Sequence, residues 1–240
     1  MKKALLAVKI LIDVAMIVLL LLIMGYHLFG EETHEWFGIS IFVLFFLHNG
    51  LNWRWYKNLF KGKYTPSRIY KLVVNIILWG LMACNIASAM LISAKVFAPL
   101  NIHGDMMTGR QLHLFATMWT FIFMSLHLGM HFPLLIGLAK RIKFPEKIGI
   151  AFKWILRVVL LGLSVYGIVV FIQRAMWEEL FLTTHFKFLD YEESKIRFLF
   201  DLSCVMCLFG AIGYYSNKLL LLISKKKKIK QSKKKLRRKI

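Results

Sequence analysis

Negative charge is scarce in this chain. Of its 240 residues only 12 are Asp or Glu against 33 Lys or Arg, and charged residues total 19% while hydrophobic ones reach 58%. Soluble domains average nearer a quarter charged, so the balance argues against a soluble domain and for one embedded in a bilayer. Cysteine is as sparse. Cys84, Cys204 and Cys207 all lie in apolar segments, where thiols behave as small buried hydrophobes. Leu208, not histidine, follows Cys207, which excludes the C-x-x-C-H attachment of a c-type haem.

Other absences narrow the field further. No Gly-x-Gly-x-x-Gly fingerprint occurs and no soluble stretch is large enough for a nucleotide domain, which excludes a self-contained NAD(P)H reductase. No small-residue cleavage site follows MKKALLAVKILIDVAMIVLLLLIM, so this segment reads as a retained first helix rather than a signal peptide, with Asp13 close enough to its start to reach the interface. Only four prolines are present, Pro66, Pro99, Pro133 and Pro145. Each is expected between apolar runs, Pro133 just after the fourth.

What is abundant is apolar length. Runs near 5–26, 35–55, 70–94, 111–132, 150–174 and 197–223 predict an all-α, polytopic membrane helix bundle of about six transmembrane helices. Residues 54–71 carry six basic side chains and no acid, and residues 132–157 carry six against Glu146 alone. Residues 25–35 hold Glu31, Glu32 and Glu35 with no Lys or Arg, and residues 174–197 hold five acids against four bases. The positive-inside rule then predicts both termini in the cytoplasm.

The net charge of +21 is concentrated at one end, since 12 of the basic residues lie between Lys218 and Ile240 with no acid among them. That stretch follows an apolar helix and lacks interleaved aromatics. It reads as a polybasic cytoplasmic tail for anionic lipid head groups, with no nucleic-acid partner. The expected organisation is a four-helix core over 1–135, two further transmembrane helices over 136–217 and the tail over 218–240.

Histidine carries the chemistry. His34 and His48 lie 14 residues apart in the second run, and His113 and His127 repeat that spacing in the fourth. At about 100° and 1.5 Å per residue, 14 residues fall about 40° short of four turns and rise about 21 Å, so each pair shares a helix face near opposite sides of the membrane. The second and fourth helices run in the same direction, which lets His34 meet His113 at the outer level and His48 meet His127 at the inner one. Two bis-imidazole sites stacked along the membrane normal suit two b-type haems, with His34, His113, His48 and His127 as metal ligands.

His131, one turn beyond His127, is a second candidate for that ligand or for contact with a propionate. Arg54 and Arg110 lie beside the two levels, where either can pair with propionates, and Arg54 also suits lipid contact. Gly38 and Gly129 are expected to let backbone approach a bulky ring. His27, His103 and His185 fall in outer loops, where solvation is the ordinary state of a histidine. The competing expectation is a histidine-based metal-ion transporter, which calls for mid-membrane carboxylates that the second, third and fourth helices lack.

The segments HEWFGISIFVLFFLHNGLNWRWYKNLFKGKY and RQLHLFATMWTFIFMSLHLGMHF resemble the two signature helices of the flavinylation-associated cytochrome family of bacterial membrane proteins. The resemblance covers roughly residues 5–135. It implies a multi-pass protein of the bacterial cytoplasmic membrane, haem b ligands at His34, His48, His113 and His127, and His131 as the last histidine of an HLGxH motif. It also implies an FMN-binding protein or domain as partner at the outer face. A quinol or a cytoplasmic-side donor is the expected counterpart, as an electron-transfer protein or oxidoreductase subunit requires. The third helix departs from the family pattern, reading NIASAMLIS where a Ser-Gly or Thr-Gly pair is usual, which bears on packing near Ser88 and Ser93.

Overall fold

The computed structural model describes residues 2–102, 104–139, 146–183 and 190–237. His103, His185 and the expected break at Pro145 fall outside the described residues, as do the basic side chains of the tail beyond Lys225. Among the described residues the chain is all helical, with no strand. In order the helices are α1 (Lys2–Ile23), α2 (Tyr26–Phe29), α3 (Glu31–Leu51), α4 (Arg54–Lys57), α5 (Pro66–Ile92), α6 (Met106–Ala139), α7 (Glu146–Gln173), α8 (Met176–Phe181) and α9 (Lys195–Arg237).

Among the described residues five helices, α1, α5, α6, α7 and α9, contain stretches long and apolar enough to cross a membrane. The expected sixth, α3, has 21 residues but falls below that apolarity. Glu31, Glu32, His34, Glu35, His48 and Asn49 all lie on it, and each offsets part of the Ile, Leu, Val and Phe run between them.

Local chemistry sets the helix ends. Gly30 adopts φ of +83°, open to glycine, and turns the chain from α2 into α3. Thr65 caps α5, its hydroxyl accepting from the Arg68 amide at 3.4 Å, with Pro66 in the first turn where its missing N–H costs nothing. Asp105 accepts from the Met107 and Thr108 amides at 3.2 and 3.0 Å and so caps α6.

Two ends differ from the sequence expectation. α6 does not stop before Pro133 but runs through it to Ala139. A proline there removes one N–H and crowds the carbonyl four residues back, an interruption that apolar helices tolerate where neighbours satisfy the freed group. Likewise α9 continues past the apolar run to Arg237. After Gly213 it contains neither Gly nor Pro, and leucine and lysine are good helix formers, so loss of apolarity does not end the helix.

Packing centres on α9, which lies against α6 and α7 and also touches α5 and α1. Small residues make these approaches close. A Cβ on Gly129 of α6 would strike the carbonyl of Gly210, one on Gly213 of α9 the carbonyl of Leu126, and one on Gly167 of α7 the carbonyl of Cys204. Such backbone contact supplies dispersion attraction where lipid removes the hydrophobic drive between helices. Gly129 therefore serves the α6–α9 seam and not the approach of a ring to His127. The core joins Leu20 of α1, Phe121 of α6, Val170 of α7 and Val205 of α9, so the last two long helices share the interior of the first four.

α3 has its close backbone neighbours in α1 and α2. Side chains tie it to α5 instead. Near its start Glu35 accepts from the Ser93 hydroxyl at 2.7 Å and from the Ala94, Lys95 and Val96 amides at 2.9, 3.2 and 2.7 Å. Near its end the Phe45 ring meets Trp79 edge-on at 4.7 Å. These ties fix the height of α3 against α5, and α6 packs along α5.

Candidate four-histidine site

The histidines of α3 face those of α6. His34 and His113 have ring centroids 6.1 Å apart with planes 73° apart. Tyr26 stands edge-on to His34 at 5.3 Å, and Arg110, one turn before His113, lies within electrostatic range of that tyrosine. At the other level His48 lies within electrostatic range of both His127 and His131. His127 and His131 have ring centroids 4.7 Å apart with planes tilted by 46°, so the turn of helix between them brings both rings to one place.

Each of the four spaced histidines is held by one nitrogen, and it is the same one. His34 Nδ1 lies 2.9 Å from the main-chain oxygen of Ile23 and His48 Nδ1 2.7 Å from the Asp13 carboxylate. His127 Nδ1 lies 2.9 Å from Asn75 Oδ1 and His113 Nδ1 3.2 Å from the Ser88 hydroxyl oxygen. A carbonyl, an ionised carboxylate and an amide oxygen only accept, so three Nδ1 atoms carry the proton. Ser88 spends its own proton on the carbonyls of Cys84 and Asn85 at 2.8 and 3.0 Å, leaving a lone pair for the fourth. All four rings thus present the Nε2 lone pair, the tautomer that ligates metals.

Neither a family model, nor a curated protein, nor a solved structure matches the chain.

What the site can do follows from its own chemistry. Among the described residues, no group of three or more His, Cys, Asp or Glu side chains is placed to hold a metal ion by itself. The oriented imidazoles at two levels can each offer Nε2 to a bound group. All four rings are only partly buried, which leaves surface through which such a group can be reached.

Of the side chains the sequence singled out, Arg110 lies at the His34–His113 level and His131 at the His48–His127 level. Arg54 lines a basic cleft of about 650 Å³ with Lys61, Arg68 and Lys71. Lys71 lies within electrostatic range of His127 and His131, so this cation, not singled out beforehand, belongs beside that pair. Sequence reading also missed Asp13, Asn75 and Ser88 as holders of the rings. Asp13, expected to reach the interface, turns to His48. Ser88 and Ser93 are each engaged, one by His113 and the other by Glu35. Gly38 has only the Ile23 side chain near its Cβ position, at 3.7 Å, and so faces α1.

A separate charged cluster ties the loop before α9 to α2 and α7. Arg174 donates to Asp201 at 2.7 Å and to Glu193, and His27 Nε2 lies 3.8 Å from the same glutamate. The hydrogen bonds from Arg174 hold the Glu193 carboxyl below its usual range, whereas burial pushes the His27 imidazole down against the pull of Glu193. No spaced histidine belongs to this cluster, which holds helix ends together.

Proposed function

We propose that the chain carries electrons across the bacterial cytoplasmic membrane through two b-type haems, one between His34 and His113 and one between His48 and His127. In this reading α3 is a sixth crossing, both termini are cytoplasmic and the His34–His113 pair is the outer one. The observation that carries it is the shared pinning of Nδ1, which readies four Nε2 lone pairs in facing helices. A histidine placed for solvation or packing needs no common tautomer, whereas a metal ligand is ordinarily fixed this way.

The dimensions support the group. With metal–imidazole bonds of about 2.0–2.1 Å and about 1 Å from nitrogen to ring centre on each side, two imidazoles sharing an ion have centroids about 6 Å apart, against the observed 6.1 Å. Haem b, when bound, supplies a one-electron couple at each level. The protein's part is to hold the rings, exclude lipid and balance charge. Arg110 at the outer level, and Lys71 and Arg54 toward the inner one, are the cations for propionate carboxylates. The polybasic tail beyond residue 218 meets anionic lipid. The resemblance to flavinylation-associated cytochromes implies one partner, an FMN-bearing protein or domain outside, and a quinol or other cytoplasmic-side electron partner within completes the path.

The test is a reduced-minus-oxidised optical spectrum of the purified protein with haem quantified per chain. A b-type spectrum with about two haems is expected. Bound zinc or iron without porphyrin would overturn the reading in favour of a metal-ion carrier.

A further inference from the structure

We infer that Asp13 makes the two levels unequal, setting the His48–His127 site at the lower potential so that electrons run from it to the His34–His113 site. The inference rests on the di-haem reading and adds to it a direction, which neither the spacing of the histidines nor their facing geometry supplies.

The asymmetry lies in what accepts from each Nδ1–H. At the outer level the acceptors are both neutral, the Ile23 carbonyl at 2.9 Å and the Ser88 hydroxyl at 3.2 Å. At the inner level one is neutral, Asn75 at 2.9 Å, and the other is the carboxylate of Asp13 at 2.7 Å, the shortest of the four. A carboxylate draws the Nδ1 proton toward itself and leaves Nε2 richer in electrons. A richer ligand favours the oxidised, more positive metal and lowers its potential.

Other charges near the two levels do not cancel this difference. Lys71 lies in range of the inner histidines, and Arg110, with Glu31 and Glu35, in range of Tyr26 beside the outer pair, so each level has its cation and the outer carboxylates act only through space. Glu35 stands next to His34, but its two oxygens take four donors from Ser93, Ala94, Lys95 and Val96. Those donors disperse its charge, and none is a ring nitrogen. Among the described residues only Asp13 places a carboxylate directly on a candidate ligand.

Geometry also explains why this residue is on α1. α1 and α3 are packed neighbours, and Lys9, one turn before Asp13, donates to Asn52 at 2.8 Å. The two bonds fix the register of α1 against the end of α3 that carries His48. Asp13 is a positioning residue, acting on the site through His48.

The electron path balances with the two partner classes already named. A quinol at the inner end gives up two electrons in successive single transfers and releases two protons there. A flavin at the outer end gains the two electrons and takes two protons from its own side.

A redox titration of the purified protein, followed optically, tests the order of the two sites. The wild type should show two midpoints. His34→Ala, lacking the outer haem, should titrate at the lower one, and His48→Ala, lacking the inner haem, at the higher one. The opposite assignment, or coincident midpoints, would overturn the inference while leaving the di-haem reading intact; a wild type without haem would overturn that reading itself. Asp13→Asn, which keeps an acceptor but removes the charge, should raise the lower midpoint alone, and Asp13→Glu should restore it. A shift of the higher midpoint, or none with both haems retained, would also refute the role of Asp13. Should Asp13→Asn not retain the inner haem, the histidine variants alone decide the order.

Discussion

His127 on α6 and Asn75 on α5 meet through Nδ1 and Oδ1 at 2.9 Å, a bond between neighbouring helices that fixes the ring with its other nitrogen free. The same relation, with a hydroxyl in place of the amide, joins His113 to Ser88. One helix, α5, therefore orients both of the spaced histidines of α6, His113 and His127.

On the di-haem reading, removing these acceptors should weaken haem binding without removing a proposed ligand. Ser88→Ala and Asn75→Leu are each expected to lower affinity about 10- to 100-fold, the usual cost of losing a partner of a metal-bound histidine. Ser88→Ala should act on the outer haem and Asn75→Leu on the inner. Haem retained after titration against an apo-haem scavenger measures the effect, and unchanged retention in both variants would contradict it.

The seam between α6 and α9 makes a different prediction. At Gly129 any side chain meets the Gly210 carbonyl, and backbone cannot swing aside as a side chain can. Gly129→Leu should destabilise the bundle by at least the roughly 1–3 kcal/mol typical of overpacking. Gly80, with nothing near its Cβ position, should accept alanine with little change. Thermal unfolding in detergent compares the two, and equal melting temperatures would count against the seam.

Acid should loosen the cluster around Arg174. His27 and Glu193 both have values lowered in the fold. For a group with a lowered folded value the contribution to stability is complete above its unfolded value and is lost as pH falls through the folded one. With unfolded values of about 6.5 for histidine and about 4.3 for glutamate, loss should begin below about pH 6.5 through His27 and deepen below about pH 4.3 through Glu193. His27→Phe should flatten the upper part of that decline. Melting temperatures measured from pH 7 to pH 4 check it, and a rise on acidification would contradict the sign.

Much of this architecture was legible in the chain because membrane helices announce themselves by length and apolarity, as five of the six long ones do. The approach of His34 to His113 was legible too, since a 14-residue spacing repeated on two same-direction helices projects both pairs onto facing sides. Asp13, Asn75 and Ser88 were not. Each acts on a histidine of another helix, and no spacing within one helix encodes which neighbour a side chain will face. Gly129 misled for the same reason: closeness in sequence to His127 suggested a ring, while its partner is Gly210, far along the chain on α9. The helix ends at Pro133 and in the lysine-rich tail were misjudged because apolarity marks where a helix can lie in lipid, not where it stops.

The pairing of the histidines is tested most directly by haem content in single and double variants. His34→Ala and His113→Ala should each halve the haem, and the double variant should lose no more than either one. His34→Ala combined with His48→Ala should abolish it. Complete loss in the His34/His113 double variant, or retention of half in the His34/His48 double variant, would contradict the account.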